Sequence, residues 1–420
     1  MDSSFFRRSV VRALMVANTF RPRRSPTVAF FPSFFSSWYA NEMPLQALTW
    51  NTVTTGLQIR KGALGTPKGR IAVGLNVAAI GGLAALYVRN RRSIQAIDDA
   101  VLELGIRPEP AAAPLSIRSR NMAPMAFRRK GVAVTRHVQY GEAAGTSLDL
   151  DVFAPGVPPL PGEARPALVQ VHGGGWVVGD KREQGLPLLN HMAANGWVGF
   201  NVNYRLGPKH HYPDHLVDVK TAIAWIRERA DEYGIDPERI AITGGSAGGH
   251  LAALVGLTPG DPHFQPGFES ADTSVMASVP FYAPFDLTDS AGHHGPEFVR
   301  FLERYVLGGR FDEHPERFVS YSPYERVHPD APPFFVLHGD LDTLVPVADA
   351  RRFVARLREV SRAPVAYAEV PGAQHAFEVF HSPRTNQAVE SVRVFLDHVA
   401  AGGLAARDQN DRATAVRTTA

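Results

Sequence analysis

The 420-residue chain contains no cysteine. That absence excludes a disulfide scaffold, a zinc–thiolate or iron–sulfur site and a thiol nucleophile, and it leaves the chain indifferent to redox compartment. Metal and nucleotide motifs are missing too. There is no H-E-x-x-H, no P-loop and no G-x-G-x-x-G, so zinc-protease and nucleotide chemistry have nothing behind them. His210-His211 and His293-His294 lack acidic companions at metal-ligand spacing, and Asp340 and Asp342 lack the Gly and Glu positions of a calcium loop. No cofactor and no metal are therefore expected. With 45% hydrophobic and 20% charged residues, the chain as a whole is neither disordered, collagenous nor a polytopic transporter.

Acid is scarce in one part only. Residues 1–130 hold 19 Lys/Arg against 6 Asp/Glu, a local charge of +13, whereas residues 131–420 carry 25 bases and 35 acids, or −10, within a total of +3. This asymmetry points to a membrane or a nucleic acid as partner of the basic part. The apolar patterning favours the membrane, and no nucleic-acid partner is expected. Residues 1–25 carry six arginines and one acid, Asp2, and Arg12 interrupts their only apolar run. A secretory signal needs that run unbroken, so a disordered or surface-lying basic arm is expected instead. Between 27 and 59 the only charge is Glu42, and residues 30–39 are crowded with aromatics (Phe30, Phe31, Phe34, Phe35, Trp38, Tyr39), rings that favour the headgroup level of a bilayer.

Residues 71–88 run 18 positions without a charge, between Lys68 and Arg70 on one side and Arg89, Arg91 and Arg92 on the other. A helix of that length is about 27 Å long, just short of a bilayer core of about 30 Å, and its basic flanks suit anionic headgroups. Gly74, Ala78 and Gly82 recur every four residues, a stripe on which another helix packs closely. The alternatives are a membrane-embedded hairpin and a buried helix of a cap. A helix-like stretch at 93–105 and a Pro-rich linker at 107–114 follow. Residues 1–125 are thus read as a basic, apolar helical region, 126–402 as the catalytic domain and 403–420 as a disordered tail, with membrane contact through residues 1–95.

From about residue 126 the pattern changes. Strand-like runs at 132–138, 146–153, 167–172, 198–204, 239–243, 274–281, 334–338 and 365–370 alternate, after the third, with helix-like runs at 184–195, 215–233, 347–360 and 384–401. This alternation predicts an α/β fold with a mostly parallel eight-stranded sheet flanked by helices.

Gly244-Gly245-Ser246-Ala247-Gly248 matches G-x-S-x-G between a predicted strand and a helix at 250–257. The chemistry needs that setting, because a sharp strand-to-helix turn lifts the serine hydroxyl off the sheet and the glycines remove side chains that would clash. The helix that follows directs N–H groups toward any developing anion. His172-Gly173-Gly174-Gly175-Trp176 ends the third strand. A plain turn needs one glycine; three leave backbone N–H groups bare for an oxyanion, so two of Gly173, Gly174 and Gly175 with Ala247 are the candidate oxyanion hole.

A serine hydroxyl also needs a base and an orienting carboxylate, which follow it in chain order on the loops after the last two strands. Those loops hold Asp342 in His338-Gly339-Asp340-Leu341-Asp342 and His375 in Pro371-Gly372-Ala373-Gln374-His375. Asp340 is the competing acid. His250 lies along the helix and points away from the hydroxyl, while His172 and His338 are read as loop hydrogen-bonders.

These residues resemble the α/β-hydrolase fold, specifically the hormone-sensitive-lipase-like carboxylesterases with His-Gly-Gly-Gly-Trp before the nucleophile, and Asn203-Tyr204-Arg205-Leu206-Gly207-Pro208 is similar to that family's Tyr-Arg-Leu-Ala-Pro segment. The resemblance covers about residues 130–400. It implies hydrolysis of small-molecule or lipid esters through an acyl-serine, no cofactor, and a helical cap built partly from residues before the core. The basic, apolar N-terminal part looks like that of membrane-associated actinobacterial lipase/esterase proteins, which implies a membrane-associated enzyme with a soluble catalytic domain. Gly245 stands where the family usually has Asp. The Ser-Ala-Gly-x-His elbow also resembles aryl formamidases, so an amidase using the same triad stays open, as does a catalytically silent hydrolase-fold binding protein.

Overall fold

A computed structural model describes residues 3–22, 30–115, 123–160 and 162–403. Eight strands form one sheet: β1 Val132–Ala143, β2 Thr146–Pro155, β3 Arg165–Val171, β4 Val198–Val202, β5 Ile235–Gly245, β6 Ala277–Phe281, β7 Phe334–Gly339 and β8 Val365–Val370. Their spatial order is β1-β2-β4-β3-β5-β6-β7-β8. β1 and β2 pair antiparallel, β2 runs antiparallel to β4, and every other neighbouring pair is parallel. The central strands are buried on both faces, which is why they read as apolar runs rather than as alternations. Each predicted strand is present, with ends moved by a few residues.

Four helices precede the sheet: α1 Ser3–Phe20, α2 Phe30–Glu42, α3 Pro44–Arg60 and α4 Pro67–Leu102. Six longer ones follow β3: α5 Leu186–Ala194, α6 Asp214–Glu228, α7 Ala247–Leu257, α8 Pro296–Leu302, α9 Val347–Val360 and α10 Pro383–Ala400. α9 shows how sequence becomes packing. Val347, Ala350, Phe353, Val354 and Leu357 recur at helical spacing and are buried, while the arginines between them face outward. Ser382 caps α10 by accepting from Thr385 N at 3.1 Å, and a proline occupies its first turn.

The N-terminal region departs from expectation in three ways. Residues 3–20, expected as a disordered or surface-lying basic arm, form an ordered helix whose Phe5, Ser9, Val16 and Thr19 are buried. The stretch 71–88 is part of a single 36-residue helix that runs on through the flanking Arg89, Arg91 and Arg92 to Leu102. No Gly or Pro interrupts 89–93, and Asn90 and Ser93 are drawn inward by hydrogen bonds with Arg384 at 2.6 and 3.3 Å. Ile97, Ala100 and Val101 then join the hydrolase core beside α10. Of the small-residue stripe, Gly82 packs on Val16 while Gly74 and Ala78 are exposed. The tail expected from 403 lies, beyond that residue, outside the described residues, as do Arg23 and Arg24.

Candidate active site

β5 ends in Gly245, Ser246 follows with φ 57° and ψ −121°, and α7 starts at Ala247. Such a conformation costs a non-glycine residue about 1–3 kcal/mol and persists only where its surroundings fix it. Here Ser246 N donates to Phe281 O and His250 N to Ser246 O, both at 2.9 Å. A Cβ on Gly248 would run into the carbonyls of Val171 and His172, so helix and strand approach this closely only with glycine there.

The loop after β3 comes to rest beside the serine. Gly174 and Gly175 have φ of 117° and 59°, in the left-handed region that favours glycine. Both line the same cavity as Ser246, about 660 Å³ in volume. Gly173 does not serve there. Its N–H donates to Gln184 Oε1 at 2.7 Å, which removes it from the three oxyanion candidates. Among the described residues no acceptor engages the N–H of Gly174, Gly175 or Ala247. The Tyr204–Pro208 segment braces this loop: the Tyr204 hydroxyl donates to His172 O at 3.0 Å and its ring stacks on His172 at 4.5 Å. Arg205 behind it is locked onto Asp218 and Asp214. Burial pushes His172 down to about 4, so it stays neutral.

His375 Nδ1 lies 2.7 Å from Asp342 Oδ2. Burial alone would raise Asp342, but the facing His375 and hydrogen bonds from His338 and His375 hold it well below the usual carboxylate range. Its other oxygen accepts the N–H groups of Leu344 and Val345 at 2.8 Å. Asp340, the competing acid, is committed elsewhere, accepting Gly372 N at 2.6 Å. Ser246 and His375 wall the same cavity. No hydrogen bond joins them in this structure, and catalytic contacts of this kind are commonly long until substrate arrives. His250 is turned away, its Nε2 2.8 Å from Tyr321 O, and burial pushes it down to about 4. His338 Nε2 is 3.0 Å from Val345 O.

Sequence reasoning did not place α2 at this site. Its aromatics do not lie apart from the chemistry: Phe34, Phe35 and Trp38 line the cavity. Trp38 Nε1 donates to Ala376 O at 2.8 Å, Gln374 Nε2 to Ser37 Oγ at 2.9 Å, and Asn41 Nδ2 to Gly372 O. Gln374 Oε1 also accepts the N–H groups of Thr343 and His375, at 2.7 and 2.9 Å. One amide side chain thus joins the acid loop, the base loop and the N-terminal helices. Its position next to His375 was the only signal available.

The BD-FAE family profile matches residues 150–357. The chain is 39% identical over 402 residues to the probable carboxylic ester hydrolase LipM of Mycobacterium tuberculosis, covering 93% of this chain and 92% of that one. It is 40% identical over 320 residues to esterase LipC of the same organism, 76% of this chain and 78% of that one. The LipM match is too extensive to leave the N-terminal helices out. Among solved structures, the apo form of Thermogutta terrifontis esterase 2 superposes with a TM-score of 0.53 at 28% identity, over 66% of this chain and 97% of that one. The same esterase phosphonylated by sarin gives 0.54 at 27%, over 66% and 98%.

Proposed function

Because the chain belongs to the hormone-sensitive-lipase-like family of α/β-hydrolases and is a serine carboxylesterase, we propose that Ser246 is its nucleophile, His375 its base and Asp342 the carboxylate that orients the imidazole. The observation that carries this assignment is the 2.7 Å His375–Asp342 hydrogen bond in the wall of the cavity that Ser246 also lines. Ser246 Oγ attacks the ester carbonyl while His375 Nε2 takes its proton. The tetrahedral oxyanion accepts the unengaged N–H groups of Gly174, Gly175 and Ala247. Collapse breaks the ester C–O bond, and the imidazolium returns the proton to the departing alcohol. Water, activated by the same imidazole, then releases the acid from the acyl-serine.

A fluorophosphonate probe tests the assignment, since the Thermogutta esterase is known as a phosphonylated adduct. Labelling and p-nitrophenyl ester turnover are expected together in the wild type, and both vanish in Ser246→Ala with the melting temperature retained. Wild-type-like turnover in that variant would sink it.

The N-terminal helices, in the same proposal, lie on an anionic bilayer. Fourteen of the twenty large apolar side chains exposed among the described residues fall within residues 11–102, Trp50, Val53, Ile71 and Val77 among them. Arg7, Arg8, Arg60, Lys68 and Arg70 are exposed on the same helices, and Lys61 just after α3. Only 33% of the apolar window of α4 is buried. The other face of α4 carries Asn76, which donates to Ser9 Oγ at 2.8 Å, and its C-terminal end packs in the hydrolase core; both favour lying on the membrane over crossing it. The protein is expected to sediment with phosphatidylglycerol vesicles and to be released by salt. Remaining in the supernatant with these as with phosphatidylcholine vesicles would overturn the membrane reading.

A further inference from the structure

Behind His375 lies a buried pair that the reaction scheme leaves unused. Tyr282 follows β6 with φ 38°, its N–H donating to Leu337 O at 2.7 Å. Its ring is fully buried and sits 4.5 Å from the His375 ring, tilted by 57°. On another side the Phe34 ring meets the same imidazole edge-on at 6.5 Å. The Tyr282 hydroxyl donates to Glu378 Oε1. Glu378 comes three residues after His375, is buried, and among the described residues has no hydrogen-bond partner for its second oxygen and no ion pair with a basic group. A buried carboxyl with one oxygen unpaired costs stability.

The sequence around the pair has made room for it. A Cβ on Gly245 would strike the Tyr282 hydroxyl, with the ring carbon that bears it 2.9 Å away. The glycine just before the nucleophile is therefore fitted to the tyrosine, and the tyrosine to the glutamate. Nucleophile loop and base loop meet through these three residues.

We propose that Tyr282 and Glu378 are positioning residues for His375: Glu378 fixes the Tyr282 ring by accepting its hydroxyl, and the ring backs the imidazole so that Nε2 faces Ser246. The inference rests on His375 being the base. Asp342 restrains the imidazole at one nitrogen, which leaves its tilt free; a ring packed against it at 4.5 Å limits that freedom. Tyr282 remains protonated and hence a donor, since burial, reinforced by Glu378, raises it well above 10.

The test compares Tyr282→Phe, Glu378→Leu and Glu378→Gln with His375→Ala in the full-length protein. Tyr282→Phe and Glu378→Leu are expected to lower kcat about 5- to 20-fold with KM within about 2-fold. Both also slow fluorophosphonate labelling and shift the downfield proton resonance of the His375–Asp342 hydrogen bond. Glu378→Gln, which keeps an acceptor oxygen, is expected to hold kcat within about 3-fold of wild type. Unchanged kcat and an unmoved resonance in both Tyr282→Phe and Glu378→Leu, with His375→Ala inactive, would overturn the positioning role alone. Activity persisting in His375→Ala would instead remove the base assignment on which it rests.

Discussion

Trp38 donates its indole N–H to the carbonyl of Ala376 at 2.8 Å, tying the second helix of the chain to the residue that follows the proposed base. Gln374 is the hub of that junction, holding Thr343 N, His375 N and Ser37 Oγ at once. Gln374→Ala orphans the buried N–H groups of Thr343 and His375, each at a cost of about 1–3 kcal/mol, while Ser37 Oγ keeps its bond to Phe34 O at 3.0 Å. A lower melting temperature and a drop of at least about 10-fold in kcat/KM are expected. Steady-state kinetics at a temperature where the variant is fully folded separates the two effects; wild-type turnover there would show that the junction is only scaffolding.

Arg384 and Glu42 form an ion pair at 2.6 Å with side chains 0% and 1% exposed, and Asn90 Oδ1 accepts a second hydrogen bond from the guanidinium. Breaking one side of such a pair strands the other charge, at a cost of about 3–5 kcal/mol, whereas replacing both partners by apolar groups is often close to neutral. Arg384→Met is therefore expected to lower the urea midpoint sharply, and Arg384→Met with Glu42→Met to recover much of the loss. A loss below about 1 kcal/mol in the single variant would mean that the pair does not dock the N-terminal helices.

The catalytic half was legible because its signals are local. Strands buried on both faces read as apolar runs, and the nucleophile turn needs glycines at fixed offsets from Ser246. The N-terminal helices were harder for a physical reason. Aromatic and apolar residues are demanded alike by a bilayer and by the wall of an acyl pocket, and composition does not separate the two. Phe34 and Trp38 face the cavity while Trp50 is 64% exposed, yet all three sit in the same weakly charged stretch. Gln184 and Gln374 were invisible for another reason: each works through a single amide whose partners are distant in sequence or set by loop geometry.

Glu378 makes stability depend on pH in an unusual direction. Burial pushes its carboxyl from about 4.5 up to about 7, with the Tyr282 hydrogen bond working against the rise and the nearby Glu42 adding to it. Below about pH 4.5 both folded and unfolded chains hold the proton, so nothing is lost. Between 4.5 and 7 the unfolded chain releases it while the folded chain keeps it, and stability falls as pH rises; above about 7 the loss is complete, about 3 kcal/mol at most. The stability of Glu378→Gln relative to wild type should accordingly grow from pH 4.5 to 7 and then level off. Parallel stability curves for the two proteins across that range would contradict it.

The cavity at Ser246 is expected to set which acyl chains are turned over. Phe34 and Trp38 from α2, Phe298 and Phe301 from the α8 segment and Leu344 from the acid loop give it mostly apolar walls. Each methylene of an acyl chain that leaves water for such a wall gains about 0.8 kcal/mol until the pocket is full, after which added length clashes. Phe298→Ala and Phe34→Ala lengthen the space at opposite ends of the chain sequence but in the same pocket, so each is expected to shift the best p-nitrophenyl ester toward longer acyl groups. The ratio of kcat/KM for dodecanoate over butyrate should rise about 5- to 50-fold, driven by the long ester rather than by loss of the short one. Phe298 is the cleaner probe, because Phe34 also touches the His375 ring and its removal lowers kcat for every ester. An unchanged chain-length profile in Phe298→Ala would place the acyl group outside this cavity and leave the alcohol half of the ester in its place.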